Sequence, residues 1–311
     1  MKAVVFAYHE IGYACLDELL SFGAHVSCLF THEDDPGEEI WFKTPVRLAK
    51  ERNIPVYTPE TLKDPRWADL IRQAKPDVIF SFYYRSLIPK RILEIPGTGA
   101  FNVHGSLLPQ FRGRCPVNWV LIAGAEKTGL TMHFMEEKPD AGDVVAQRAV
   151  DITSDDTAHT LFLKLVNEAR PLMRDILPRL LDRTFTRISQ SELGPSSYFG
   201  GRRPEDGLIS WEKDARSVHN LVRAVTHPYP GAFTYFDGKK LFIWQTEVEP
   251  RMEIDPAVRK GEIISTNPLV VNAGGKALKL VTVEFDGERE ISGEAWAAVY
   301  ISKNRILGGN A

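Results

Sequence analysis

Short apolar runs alternate with amphipathic segments through the first half of the chain. The strand-like runs cover residues 2–7, 25–30, 77–82, 100–103, 130–135 and 144–151. The helical segments cover about residues 13–22, 44–52, 65–74 and 116–123. This alternation predicts a mainly parallel sheet with helices on both faces, a Rossmann-like α/β arrangement. The turn after the first run, residues 8–12, lacks the G-x-G-x-x-G fingerprint, which disfavours a nicotinamide-dependent oxidoreductase.

A long helical pattern follows at about residues 156–181. Ser154 or Asp155 is its expected N-cap. We expect Pro171 and Pro178 to kink or divide the helix, because proline removes a backbone donor and crowds the preceding turn. The stretch that comes next, SELGPSSYFGGRRPEDG, is rich in Gly, Pro and Ser and is typical of a linker.

Beyond a short predicted helix at 215–225, the chain becomes strand-like. Two pairs of runs flank glycine-containing turns, at 232–236 with 241–248 and at 269–272 with 277–285, and a last strand is expected at 295–301. This pattern predicts a smaller, OB-like antiparallel β-barrel. We therefore expect a catalytic α/β domain at 1–193, a linker at 194–210, the OB-like domain at 211–304, and a linker or the boundary of a longer chain at 305–311.

The composition restricts the possible protein classes. With 43% hydrophobic and 25% charged residues among 311, the chain can bury a sizeable core. It shows no signal-peptide pattern and no apolar run of the roughly 18 residues that span a membrane, so we expect a cytoplasmic protein. Its three cysteines form no C-x-x-C pair, so neither a disulfide framework nor a metal site is expected. A net charge of −3 disfavours broad attraction to nucleic acid.

Two polar residues follow one buried run, at the place where a strand of the predicted sheet ends. Asn102 and His104 are two positions apart, so in a strand they share one face. The carboxyl ends of strands form the ligand crevice of an open α/β sheet. An amide can donate to a developing oxyanion, and imidazole can exchange a proton near neutral pH. Asp140, in a turn between two strand-like runs, can favour the charged imidazole if the turn folds over the crevice.

Three segments carry a family resemblance. The stretch NVHGSLLPQFRG at 102–113 resembles the Asn-x-His and Ser-Leu-Leu-Pro signature of the folate-dependent formyltransferases. SLIP at 86–89 resembles the segment that holds the folate ring by its backbone in that family. Asp140 with Gly142 is similar to its third catalytic position. The likeness extends over nearly the whole chain.

The resemblance implies transfer of a formyl group from 10-formyltetrahydrofolate to a primary amine through a tetrahedral intermediate, without a metal. Asn102 would donate to the oxyanion, and His104, kept protonated by Asp140, would stabilise it and protonate the departing folate nitrogen. The positions that the resemblance assigns to folate are Ser86, Leu87, Ile88, Arg114, Glu136, Glu137, Lys138, Pro139 and Asp140.

The charge of the stretch after the second predicted strand narrows the choice of acceptor amine. Enzymes of this family that act on methionyl-tRNA contact the acceptor stem with a basic loop after the second strand, as phosphate contacts require. The corresponding stretch here carries acidic residues that would repel a phosphate backbone, namely Asp34, Asp35, Glu38 and Glu39. A small acceptor is therefore expected.

The likeness is strongest to the formyltransferase half of bifunctional bacterial enzymes that act on UDP-4-amino-4-deoxy-L-arabinose. Those enzymes serve lipid A modification and polymyxin resistance, and a UDP-glucuronic acid decarboxylase domain follows in the same chain. The resemblance thus implies a UDP-amino sugar as substrate and fusion to a C-terminal decarboxylase domain. Candidate contacts for the diphosphate are Arg112, Arg202 and Arg203.

Two other functions stay open. Within the same enzyme class, the acceptor can be methionyl-tRNA or another nucleotide-linked amino sugar. In a different class, a catalytically silent α/β domain would carry a nucleotide- or oligonucleotide-binding barrel. The acidic balance disfavours that second function, as does the lack of interleaved basic and aromatic residues along the β-rich strands.

Overall fold

A computed structural model describes residues 1–33, 41–249, 252–301 and 305–308. The chain forms two compact units. Unit 1 consists of Met1–Pro116, Lys127–Ile152 and Phe162–Gly200, and unit 2 consists of Val117–Glu126, Thr153–Leu161 and the chain from Gly201 onward. Among the helices so described, none is both long enough and apolar enough to cross a membrane.

Unit 1 is built on a seven-stranded sheet in the order β3-β2-β1-β4-β5-β7-β8. The strands of this unit are β1 (Lys2–Ala7), β2 (His25–Phe30), β3 (Val56–Tyr57), β4 (Val78–Phe82), β5 (Gly99–His104), β6 (Arg112–Gly113), β7 (Lys127–Phe134), β8 (Val144–Asp151) and β9 (Tyr198–Phe199). Strands β1 to β5 pair in parallel, whereas β7 and β8 are antiparallel. The short strands β6 and β9 form a separate parallel pair.

Helices connect these strands. They are α1 (His9–Ser21), α2 (Pro45–Glu51), α3 (Pro65–Ala74), α4 (Lys90–Leu93), α5 (Pro116–Ile122) and α6 (Ala158–Asp182), with a short 3₁₀ turn at Gln190–Glu192. The central strands are apolar without interruption because both faces of a parallel sheet are covered. Val4, Phe6 and Ile79 accordingly have no exposed surface. The predicted mainly parallel α/β sheet is confirmed.

Helix α6 departs from the sequence prediction at its start and at its prolines. It begins at Ala158, after a cap in which Thr160 N donates to Thr157 Oγ1 at 3.3 Å, so the predicted caps Ser154 and Asp155 are wrong. The helix also continues through both prolines without being divided. Its apolar face is buried on either side of them, and this packing offsets the lost backbone bonds.

Unit 2 contains the separate antiparallel sheet that the sequence predicts. Its strand order is β10-β11-β14-β13-β12, with β15 paired to β14. The elements are a 3₁₀ turn at Pro204–Gly207, α7 (Ala215–Val225), β10 (Ala232–Phe236), β11 (Lys239–Glu249), β12 (Ile263–Thr266), β13 (Leu269–Ala273), β14 (Lys276–Phe285), β15 (Ile291–Ser292) and α8 (Gly293–Tyr300). Both predicted hairpins form.

The last predicted strand, at 295–301, is wrong because these residues form helix α8. Ser292 Oγ accepts a hydrogen bond from Ala295 N and caps the helix, and Trp296 is fully buried. Periodicity alone does not separate a short buried helix from a strand.

The β10–β11 hairpin provides a test of backbone conformation. Gly238 has φ +75° in its turn, and a Cβ there would meet no neighbouring atom. We expect Gly238→Ala to lower the free energy of unfolding by about 1 kcal/mol, because alanine is strained at this positive φ although its Cβ meets no neighbour. Gly97→Ala, where φ is not positive and the space is equally open, is the matched control and should be neutral or slightly stabilising. Equal urea midpoints for both variants would contradict this account.

Candidate active site

The carboxyl end of β5 carries the first two predicted site residues. This edge lies beside the point where strand order reverses between β1 and β4, which is where ligands bind in open α/β sheets. Asn102 and His104 alternate with Phe101 and Val103, which are buried in the core. Strand β7 runs antiparallel beside β5 and sets His133 directly opposite Asn102.

His104 is nearly buried, with 6% of its surface exposed, and both ring nitrogens have defined neighbours. Nε2 lies 2.8 Å from the carbonyl oxygen of Phe111, so it carries a hydrogen and donates it. Nδ1 faces Asp140 Oδ1 at 3.6 Å. The ring is therefore held between the carbonyl oxygen of Phe111 and the carboxylate of Asp140.

Asp140 lies in the loop between β7 and β8 with a left-handed backbone, φ +54°. Its Oδ2 accepts a hydrogen bond from Gly113 N at 2.9 Å, while Oδ1 is 3.6 Å from both His104 Nδ1 and His133 Nε2. Gly142 makes this loop possible, since a Cβ there would lie 2.1 Å from the carbonyl oxygen of Phe134. The structure thus brings the three predicted residues Asn102, His104 and Asp140 together.

His133 is a site residue that the sequence reasoning missed. Its Nδ1 lies 2.7 Å from the carbonyl oxygen of Phe134, and its Nε2 lies 3.1 Å from Asn102 Nδ2. Burial lowers the pKa of His133 to about 4, although the carboxylate of Asp140 acts in the opposite direction. Its place opposite Asn102 depends on the antiparallel register of β5 and β7, which residue spacing in the sequence does not define.

Gln190 is a second residue that the sequence did not reveal. It is 3% exposed and connects two loops of the site. Its Oε1 accepts hydrogen bonds from Arg112 Nε at 3.0 Å and Nη2 at 2.6 Å, and its Nε2 donates to the carbonyl oxygens of Asp140 and Gly142 at 2.9 and 2.7 Å. One side chain therefore holds the Arg112 loop and the Asp140 loop at a fixed separation.

The chain that follows Gln190 reinforces the Arg112 loop. Phe111 N donates to Ser197 Oγ at 2.8 Å, and Arg114 N donates to the carbonyl oxygen of Phe199 at 3.0 Å. Gly113 has φ +98°, and a Cβ there would lie 2.1 Å from the same carbonyl oxygen. Residues in the stretch that the sequence predicts as a linker thus support the loop that binds Asp140.

The predicted anion contacts have partners close by. Arg112 uses Nε and Nη2 for Gln190, which leaves Nη1 for another acceptor. Arg202 and Arg203 belong to unit 2, where both bind Asp206, through Arg202 Nη2 to the carbonyl oxygen and through Arg203 N to the carboxylate.

The residues assigned to folate lie in two segments. Ser86, Leu87 and Ile88 follow β4, the strand beside β5, and Leu87 is 75% exposed, whereas Ile88 packs on the core. In the β7–β8 loop Glu136, Glu137 and Lys138 are exposed and Pro139 is half-buried; Arg114 is exposed on its own loop.

The acidic residues Asp34, Asp35, Glu38 and Glu39 lie outside the described residues. Within the described ranges, no cluster of three or more His, Cys, Asp and Glu side chains is placed to hold a metal ion.

Comparison with family models gives two matches that cover most of the chain. The model described as formyl transferase matches residues 1–177, and the one described as formyl transferase, C-terminal domain, matches residues 202–300.

Several solved structures have a similar fold. WlaRD, a sugar 3N-formyl transferase solved with dTDP and 5-N-formyl-THF, has 18% identity and a TM-score of 0.68, over 93% of this chain and 99% of its own. The N-formyltransferase from Helicobacter canadensis, in complex with folinic acid and dTDP-3-aminofucose, has 17% identity and a TM-score of 0.66, over 90% and 98%. A 4-N formyltransferase from Francisella tularensis has 24% identity and a TM-score of 0.61, over 78% and 96%.

Gln190 can be tested by removing its polar atoms while keeping its size. Gln190→Leu leaves one buried and one part-buried carbonyl oxygen and one guanidinium without their partner, so we expect the free energy of unfolding to fall by about 2–3 kcal/mol. Amide hydrogen exchange should also become faster in the loops at Gly113 and Asp140. The exposed Gln73 offers the same substitution as a control, and equal stability of the two variants would contradict the role of Gln190.

Proposed function

The chain belongs to the formyl transferase family and is a formyltransferase, and on that premise we propose that it formylates the 4-amino group of UDP-4-amino-4-deoxy-L-arabinose, with 10-formyltetrahydrofolate as donor. The observation that carries the proposal is the convergence of Asn102, His104 and Asp140 at the carboxyl end of β5. An amide donor, an imidazole and a carboxylate grouped at one edge of the sheet are the groups that acyl transfer to an amine requires.

Asn102, His104 and Asp140 each have a separate role in the proposed reaction. As the amine nitrogen bonds to the formyl carbon, negative charge develops on the formyl oxygen, and Asn102 Nδ2 donates to it. A preorganised donor of this kind contributes about 3–4 kcal/mol to the transition state. His104 holds a proton at Nδ1 beside Asp140 and supplies it as the bond to the folate nitrogen breaks, and the proton that the attacking amine loses restores it. Asp140, fixed by Gly113 N, stabilises the imidazolium and keeps the ring in position.

The folate assignment is supported by the chemistry of the site edge. Leu87 offers an exposed apolar surface beside β5, and the turn before it is anchored because Arg85 N donates to His32 Nε2 at 3.0 Å. A planar heterocycle can lie against such a surface and bond to the backbone of Ser86, Leu87 and Ile88. The similar structures of WlaRD and of the Helicobacter enzyme hold a reduced folate, which agrees with this assignment.

A nucleotide-linked amino sugar is the acceptor that the observations favour. The two folate-bound relatives were solved with dTDP or a dTDP-amino sugar, and the Francisella relative acts at a 4-amino group. Within unit 1, Arg112 Nη1 is a candidate donor for the diphosphate, and Arg202 and Arg203 are the separate candidates that unit 2 offers. The acidic residues at 34–39 disfavour tRNA. In this proposal residues 1–193 are the catalytic domain of a cytoplasmic enzyme of lipid A modification and residues 211–304 are its OB-like domain. Fusion to a C-terminal decarboxylase domain stays an expectation from the resemblance.

The three site residues can be tested together. We expect Asn102→Ala, His104→Ala and Asp140→Asn each to lower kcat for formyl transfer by about 100-fold or more, because each removes a group that acts on developing charge. Circular dichroism and thermal melting should show folded variants. His25→Ala, at an exposed histidine on β2, should leave kcat unchanged. Near-normal turnover by a folded site variant would refute the assignment of that residue.

The acceptor can be tested with a panel of amines. With 10-formyltetrahydrofolate present, we expect UDP-4-amino-4-deoxy-L-arabinose to gain a formyl group, read by mass spectrometry, with kcat/KM well above that for a dTDP-amino sugar or methionyl-tRNA. Preference for a dTDP-amino sugar would overturn the assignment of the substrate. Formylation of methionyl-tRNA alone would overturn the amino-sugar class.

A further inference from the structure

We propose that His133 is a positioning residue for the formyl transfer: held as a neutral imidazole, it accepts a hydrogen bond from Asn102 and so orients the amide with its NH₂ group towards the reacting oxygen. The inference rests on the proposed function, in which Asn102 is the oxyanion donor. It gives a role in the reaction to a histidine that is not one of the three residues of the family signature.

The first step concerns the tautomer of the His133 ring. Nδ1 lies 2.7 Å from the carbonyl oxygen of Phe134, and a carbonyl oxygen only accepts hydrogen bonds. Nδ1 therefore carries a hydrogen. In the neutral ring this leaves Nε2 with a lone pair, so Nε2 is the acceptor.

The second step concerns the charge of the ring. His133 is 1% exposed, and burial lowers its pKa to about 4. Three charged or titratable groups face it: the carboxylate of Asp140 raises the pKa, whereas His104 and the guanidinium of Arg112 lower it. Because its pKa lies far below neutrality, His133 is neutral under the conditions in which an amine nucleophile reacts.

The third step follows for Asn102. With a lone pair on His133 Nε2, the atom of Asn102 that stands 3.1 Å away must be the amide nitrogen, because the amide oxygen would be repelled. One amide hydrogen goes to His133, and the second remains for an oxygen of the substrate. Asn102 and His133 are directly opposed on paired strands, so rigid backbone sets this geometry.

The neutral state of His133 also determines which histidine can donate a hydrogen to Asp140. Asp140 Oδ1 is 3.6 Å from a nitrogen of each histidine, so either ring is close enough to compete for the carboxylate. His133 Nε2 has no hydrogen to offer, whereas His104 Nδ1 faces the same carboxylate oxygen. A protonated His133 would instead turn the amide oxygen of Asn102 towards itself and withdraw the donor from the substrate.

Kinetics separate this role from a structural one. We expect His133→Leu, which removes the acceptor, to lower kcat about tenfold or more while KM for both substrates stays within about twofold. His133→Gln, whose side-chain oxygen can accept from Asn102, should recover much of the loss. The control is His219→Leu in unit 2, at a half-buried histidine bonded to Thr246, which should keep normal kcat. Full kcat in folded His133→Leu would overturn the proposal.

Spectroscopy tests the same inference without activity. In long-range ¹H–¹⁵N spectra of histidine-labelled protein, we expect His133 in the Nδ1–H form, with no titration between about pH 8 and pH 5.5. Titration near pH 6.5, or the Nε2–H form, would overturn the proposal. If the wild-type chain transfers no formyl group although the spectrum is as expected, the proposed function fails and the ring assignment stands.

Discussion

The carboxylate of Asp140 is the interaction on which the candidate site depends. A carboxylate that is only 14% exposed must find donors or opposite charge, and here it has a backbone N–H from Gly113 and the imidazole of His104. Its own backbone oxygen is bound by Gln190. The loop after β5, the loop after β7 and the chain that follows α6 thus meet at one residue. Removing that charge would weaken the bond to Gly113, while the Gln190 bond to the backbone oxygen would remain.

Much of the fold and part of the site followed from local sequence pattern. Alternating apolar runs gave the parallel sheet, and the two-residue spacing of Asn102 and His104 gave their common face. Asp140 followed from family resemblance, because a turn aspartate has no local mark of function. The failures were also local in origin. An apolar stretch ending at Tyr300 fits a strand and a helix equally well, and the cap at Ser292 decides between them.

His133 and Gln190 escaped prediction for a different reason. His133 faces Asn102 only because β7 pairs antiparallel with β5, and that register is a property of the folded sheet. Gln190 lies 50 positions beyond Asp140 and acts through side-chain bonds to carbonyl oxygens, which any residue type presents. The bonds of Gln190 also revise the role expected of Arg112. Two of its guanidinium nitrogens bind Gln190, so Arg112 first serves to join loops of the protein. Long-range hydrogen bonds of this kind leave no periodicity in a sequence.

The pairing of β6 with β9 has a consequence for how the enzyme matures. Phe111 and Ser197 are 86 positions apart, so the loop around Gly113 lacks this part of its support until the chain past Phe199 is available. A ribosome that has made only the sheet strands has already delivered Asn102, His104 and Asp140. The bonds from the segment behind α6 come later, since distant contacts form late. Synthesis therefore delivers the reactive groups before the segment that braces the loop beside them.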